Sequence, residues 1–159
     1  MKKFLYNIDS FIKYFLVLIV AVLSVLGFYQ VFTRYVFNNA STWSEELIRI
    51  LFIWASCVGA GVGVKEHIHI GVDVVVNLFP VKLKVAVELF VLFILCVFGA
   101  FLIKYGLVLT AKTVHQLSPA LQISMAYVYA AIPTLGGLTA FYGLREIVDV
   151  VKNLKEVSK

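Results

Sequence analysis

The stretch RYVFNNASTWSEELIRILFIW occupies residues 34–54 and decides how the chain is built. It closes one long apolar run, turns through Asn38–Thr42, and opens another. Asparagine, serine and threonine are turn formers, so the first helix stops there. Thr42 and Glu45 have the S/T-x-x-E spacing of a capping box, in which each side chain satisfies a backbone donor at a helix start. Glu45 and Glu46 then fall in the first helical turn, where the helix dipole favours negative charge. Two helices joined by so short a turn must be antiparallel neighbours. Arg34 lies four residues before Asn38, about 6 Å of helical rise, which predicts that it comes within reach of Glu45 or Glu46. Glu45 and Arg49 are themselves spaced i,i+4.

The rest of the chain explains why charges gather at this turn. Of 159 residues, 62% are hydrophobic and 14% charged, with a mean hydropathy of +0.96. Soluble domains carry about 25% charged residues, so the composition is that of a membrane protein. A helical span takes about 20 apolar residues, which leaves room for four spans and no soluble domain. The expected fold is an all-α membrane protein with a single domain over 1–159. Its four transmembrane helices are expected at about 11–37, 43–64, 81–109 and 124–148, with a short interfacial helix at about 72–79. Pro80 suits the first turn of the third helix, where its missing N–H costs nothing. Ser118–Ile123 is read as an interfacial piece before the fourth helix, and Pro133 as a kink within it.

Lys2 and Lys3 ahead of an apolar run resemble a signal peptide. Tyr14–Thr33 is uncharged for longer than the ~7–15 residues of a signal h-region, so a retained anchor is expected. Four spans put both termini on one side. With the N-terminus inside, the inner segments hold Lys2, Lys3, Lys13, Lys65, Lys82, Lys84, Arg145, Lys152, Lys155 and Lys159, against Arg34, Arg49, Lys104 and Lys112 outside. The positive-inside rule therefore favours N-in, C-in.

The net charge of +5 does not indicate nucleic-acid binding, because the basic residues sit at the ends of apolar runs and form no patch interleaved with aromatics. Cys57 and Cys96 are single cysteines within apolar runs and suggest neither a disulfide nor a metal site. His67 and His69, beside Glu66 and Asp73, are read as solvated rather than as metal ligands. No span carries a deep acid, a mid-membrane histidine or a pair of broken half-helices, the usual equipment of a self-sufficient transporter. No nucleophile–base arrangement is visible, so neither an enzyme nor a bound cofactor is expected. A membrane anchor of a redox enzyme is the alternative. It would need axial histidines inside the spans, whereas His67, His69 and His115 fall outside them. A small exporter would need a deep ionisable group, and Glu88 lies close to the inner surface.

On the second helix, Glu45, Arg49, Ser56, Gly59, Ala60 and Gly63 project within a narrow arc. Gly59 and Gly63 form a G-x-x-x-G pair. That face is expected to pack, and the face of Leu47, Leu51, Trp54 and Val58 to meet lipid or a partner. On the fourth helix, Ala126, Ala130, Pro133, Gly137 and Ala140 suggest a helix-packing seam. The four charges Arg34, Glu45, Glu46 and Arg49 are read first as an interfacial network fixing helix register, and secondly as one that also contacts a partner protein.

RYVFN, WSEELIRILFIW, KEHIHIGVD, SPAL and YAAIPTLGG occur in this order, and the chain resembles the small membrane subunit of tripartite ATP-independent periplasmic (TRAP) transporters, the DctQ-like family. The resemblance implies a four-helix inner-membrane protein that binds a large, sodium-coupled membrane subunit. A periplasmic binding protein would deliver the substrate, an organic acid. Arg34, Trp43, Ser44, Glu45, Glu46 and Arg49 match one family motif, and Ser118, Pro119, Ala120 and Leu121 a second. They would order the bundle or its partner contact, with Gly59 and Gly63 as further interface candidates. Ser124 departs from the proline expected at the start of the fourth helix. With its last residue at Lys159, the chain is expected to be a polypeptide separate from the large subunit.

Overall fold

The computed structural model describes residues 2–38, 41–65 and 81–157. It contains five helices among them: α1 (Lys2–Val36), α2 (Thr42–Lys65), α3 (Val81–Lys112), α4 (Ala126–Tyr129) and α5 (Ala131–Val157). The interfacial segment expected near 72–79, His67, His69 and Pro80 lie outside the described residues. Three helices are long and apolar enough to cross a membrane: Asn7–Val36, Thr42–Val64 and Val85–Lys112. Few of their residues are buried within the chain. Their apolar side chains therefore face outward, the inverse of a soluble domain.

The chain falls into two compact units, Met1–Gly59 with Leu109–Ala131, and Ala60–Val108 with Ile132–Lys159. In the first unit, α1 begins earlier than the hydropathy alone suggested. Phe4, Ile8, Phe11 and Phe15 recur at i,i+3 and i,i+4 spacing through the polar start, which is the helical period. The rings of Phe11 and Phe15 stack at 6.5 Å. At the other end Asn38 has φ 50°, a left-handed conformation that asparagine tolerates better than most residues and that stops helices.

α2 starts at Thr42, one residue before its expected onset. Ser41 is therefore the boundary residue. Its carbonyl accepts the Glu45 N–H at 3.2 Å and the Ser44 hydroxyl at 2.9 Å. The Thr42–Glu45 capping box is not formed among the described residues, and the Ser44 hydroxyl bonds a carbonyl instead of capping an N–H. That fixes Ser44, which is fully buried. The tilted pair Tyr29–Trp43, with centroids 5.7 Å apart, packs α1 against the start of α2.

In the second unit, glycines set how closely helices approach. A Cβ at Gly136 would stand 2.6 Å from the Gly99 carbonyl oxygen. One at Gly99 would meet the Gly136 oxygen at 2.9 Å and Ala140 Cβ at 3.2 Å. Further along, Gly106 lies against Pro133 and Ile132, and Gly143 against Cys96. Gly99 and Gly106 are seven apart on α3, as are Gly136 and Gly143 on α5. Two antiparallel heptad-spaced rows of this kind permit the near-parallel crossing common in membrane bundles. Pro133 and Ala140 belong to this seam as the sequence suggested. Gly137 does not, since nothing lies within 4 Å of a Cβ built there.

The helix expected from 124 to 148 is instead two pieces, α4 and α5, parted at Ala130. Pro133 sits in the first turn of α5, where it does not kink a continuous helix. Lacking an N–H, it cannot bond the Tyr129 carbonyl, and in a regular helix its ring would clash with that carbonyl, so the ladder breaks just upstream.

Candidate functional site: a glutamate that holds the 113–125 loop

The segment between α3 and α4 is more ordered than the expected interfacial piece. Thr113 ends α3 by turning its hydroxyl back to the carbonyls of Leu109 (3.0 Å) and Thr110 (3.1 Å). The chain then doubles back on itself. Leu117 and Ser124 form an antiparallel bridge, the Ser118 N–H donates to the Ile123 carbonyl at 2.8 Å, and the Met125 N–H to that of Gln116 at 2.8 Å. Gln122 takes the turn at φ 54° and donates from its side-chain amide to the Pro119 carbonyl at 3.0 Å. Ser124 ties the end of α3 to the start of α4. Its hydroxyl donates to the Val114 carbonyl at 2.7 Å and accepts the Ala126 N–H at 3.3 Å.

So tight a loop leaves backbone donors that its own carbonyls cannot reach. Glu46 supplies the acceptor. One of its carboxylate oxygens takes the Ala120 N–H at 2.7 Å and the Leu121 N–H at 3.1 Å. The buried Ser118 hydroxyl bonds the same carboxylate while accepting the Ile123 N–H at 3.3 Å. Hydrogen bonds to an ionised acceptor are stronger than neutral ones. One glutamate thereby fastens the SPAL segment to the first turns of α2, and the two sequence motifs become one structural feature. Trp54, two turns further along α2, adds a second tie by donating its indole N–H to the Tyr127 carbonyl at 3.0 Å. Trp54→Phe keeps one aromatic ring and removes one neutral hydrogen bond together with the second ring of the indole. A stability loss of about 1 kcal/mol or more is expected in reversible unfolding from detergent.

The remaining candidates behave differently. Arg34, Glu45 and Arg49 are exposed, and among the described residues no ion pair joins Arg34 to Glu45 or Glu46. The physical reason is competition, because the loop amides already hold the Glu46 carboxylate. Arg49 acts on that carboxylate through space. Trp43 and Pro119 are exposed, and Gly59 and Gly63 half-buried. A Cβ at Gly59 would meet nothing within 4 Å, whereas one at Gly61 would stand 2.7 Å from Leu138 Cβ. Val58, on the face assigned to lipid or a partner, is buried. The two faces of α2 are therefore the reverse of the expectation.

The described residues include an apolar groove and a smaller cleft. The groove, of about 410 Å³, runs along α3 beside Phe93, Ile94, Val97, Phe98 and Phe101. The cleft, of about 210 Å³, lies beside the glutamate, lined by Glu46, Arg49, Ile50, Ile53, Pro119, Met125, Val128 and Tyr129. No cluster of three metal-ligating side chains is found among the described residues.

Long apolar helices with outward-facing side chains and a polar staple at one end define a multi-pass helical membrane protein. Residues 23–153 match the family described as tripartite ATP-independent periplasmic transporters, DctQ component, and the chain belongs to that family. It is 28% identical to the sialic acid TRAP transporter small permease protein SiaQ of Vibrio cholerae, over 99% of this chain and 90% of that protein. It is 38% identical to the C4-dicarboxylate TRAP transporter small permease protein DctQ of the same organism, over 48% of this chain and 33% of that protein. It is 30% identical to the sialic acid TRAP transporter permease protein SiaT of Haemophilus influenzae, over 70% of this chain but 18% of that protein. Two of these three matches thus span a third or less of the relative's length.

Proposed function

We propose that the chain is the non-catalytic small membrane subunit of a TRAP transporter, which binds and steadies a large sodium-coupled membrane subunit. That subunit would take up an organic acid delivered by a periplasmic binding protein. The carrying observation is the family match over residues 23–153, together with matches to a minor part of longer permeases such as SiaT. A segment matched within a longer permease is expected to work beside the remainder of such a permease.

In this reading α5 is the fourth span, with Pro133 in its first turn. Both termini are cytoplasmic in the bacterial inner membrane, which places the 113–125 loop and its glutamate on the periplasmic side. Ser44, Glu46 and Ser118 then order the loop from within. Arg34, Trp43, Glu45, Gly59, Gly63 and Pro119 are left for the partner interface. The outward apolar faces of α1 and α3 supply further surface for lipid or the large subunit.

The test is coexpression of this chain with its large permease. The two are expected to co-purify, and reconstituted vesicles should accumulate substrate only when both chains and the binding protein are present. Transport by this chain alone, or a large permease that is fully active without it, would overturn the assignment.

A further inference from the structure

We propose that the cleft beside Glu46 is a phospholipid site, with the headgroup phosphate on Arg49 and an acyl chain along Ile50, Ile53, Met125 and Val128. The inference needs α2 to cross a membrane and does not depend on the transport role. Its basis is an imbalance of partners. The cleft's carboxylate is committed to the loop through Ala120, Leu121 and Ser118. The guanidinium of Arg49 lines the same cleft, is exposed, and makes no hydrogen bond or ion pair among the described residues. Glu45, one turn away, is also exposed and has not paired with it.

Arg49 lies seven residues into a 24-residue helix, about 10 Å of rise from its start. An arginine this close to the membrane boundary can reach the phosphate level by snorkelling. A planar guanidinium matches a phosphodiester with paired hydrogen bonds, which a lysine cannot reproduce. Below it the lining is aliphatic, apart from Pro119 and the Tyr129 ring. One cation over an apolar slot is complementary to an anionic head carrying a hydrocarbon tail. Free phosphate would leave the slot empty, and diacylglycerol would leave the cation unpaired. Lys104 offers no such arrangement, since its ammonium lies 5.6 Å from the centre of the Tyr105 ring.

The experiment uses the full chain in detergent micelles, followed by native mass spectrometry and thermal unfolding. The added probes are phosphatidylglycerol, diacylglycerol of the same acyl chains, and glycerol 3-phosphate. Phosphatidylglycerol alone is expected to remain bound and to raise the unfolding midpoint. Arg49→Gln should weaken its apparent affinity about tenfold or more, the scale of one charge-assisted hydrogen bond. Arg49→Lys should fall between, Lys104→Gln should match the wild type, and Ile53→Trp should reduce retention by filling the slot while leaving Arg49 in place. Equal retention of diacylglycerol, or unchanged lipid binding by both Arg49→Gln and Ile53→Trp, would overturn the proposal. So would an Arg49→Gln variant that binds lipid normally yet no longer co-purifies with the large permease, which would assign the guanidinium to a protein partner.

Discussion

Gly136→Ala is expected to destabilise the chain, and the neighbouring Gly137→Ala to leave it unchanged or slightly stabilised. Both substitutions remove a glycine from the interior of α5, so both gain about 1 kcal/mol of helix propensity. They differ in what the new methyl meets. At Gly136 it would stand 2.6 Å from the Gly99 oxygen, 2.9 Å from the Ile103 nitrogen and 2.9 Å from Leu102 Cβ. Two of those three atoms are backbone, so no rotamer change can clear them and α3 must move. Overpacking of this kind costs about 1–3 kcal/mol, and more when the helices cannot shift together. At Gly137 the methyl meets nothing within 4 Å. Gly136→Leu should abolish folding of the second unit where Gly137→Leu is accepted. Reversible unfolding in detergent reads the difference. Equal midpoints for the two alanine variants would show that the α3–α5 seam is not built on Gly99 and Gly136.

This pair also marks where the sequence stopped being informative. Hydropathy located α1, α2 and α3 to within a few residues at most of their ends, because lipid demands long apolar runs and tolerates little else. It did not reveal which face of each helix packs. In water, burial separates apolar from polar faces, but lipid tails are as apolar as leucine, so that contrast disappears. The Gly59–Gly63 pair and the open Gly137 look like packing glycines by spacing alone. Gly61, Gly99, Gly106, Gly136 and Gly143 meet neighbouring atoms. The seven-residue intervals Gly99–Gly106 and Gly136–Gly143 carried the missing signal, since a heptad repeat keeps one face turned toward a partner helix.

The candidate site was legible in the same partial way. The motifs WSEEL and SPAL stood out as places where polar residues interrupt an apolar chain, but the expected pairing joined charge to charge, Arg34 to Glu45 or Glu46. In the structure Glu46 binds backbone amides instead. A tight loop produces those donors only once it has folded, and side-chain identity at residues 118–123 does not display them. The polar residues were found, and their partner was not.

The other large effect is expected at Glu46. Glu46→Ala removes the acceptor for the Ala120 and Leu121 amides and for the Ser118 hydroxyl at once. Those groups are then left without a protein acceptor beside an apolar cleft, which is more damaging than never having formed the bonds. The loop spanning Leu117–Ser124 should detach from α2, with amide exchange at Ala120 and Leu121 about tenfold faster or more, as for a segment that opens locally. Glu46→Gln should fall between, because its amide oxygen can still accept but carries no charge. Glu45→Gln is the control, an exposed glutamate with no such contact, and should leave both amides protected. Ser118→Ala tests the same unit from the loop side, removing the hydroxyl that links Glu46 to the Ile123 N–H. Its effect and that of Glu46→Ala should be strongly non-additive, as expected of residues in one hydrogen-bond network. If exchange at Ala120 and Leu121 proves the same in Glu46→Ala as in Glu45→Gln, the loop is held by its own hairpin bonds. The pairing of WSEEL with SPAL would then need another explanation.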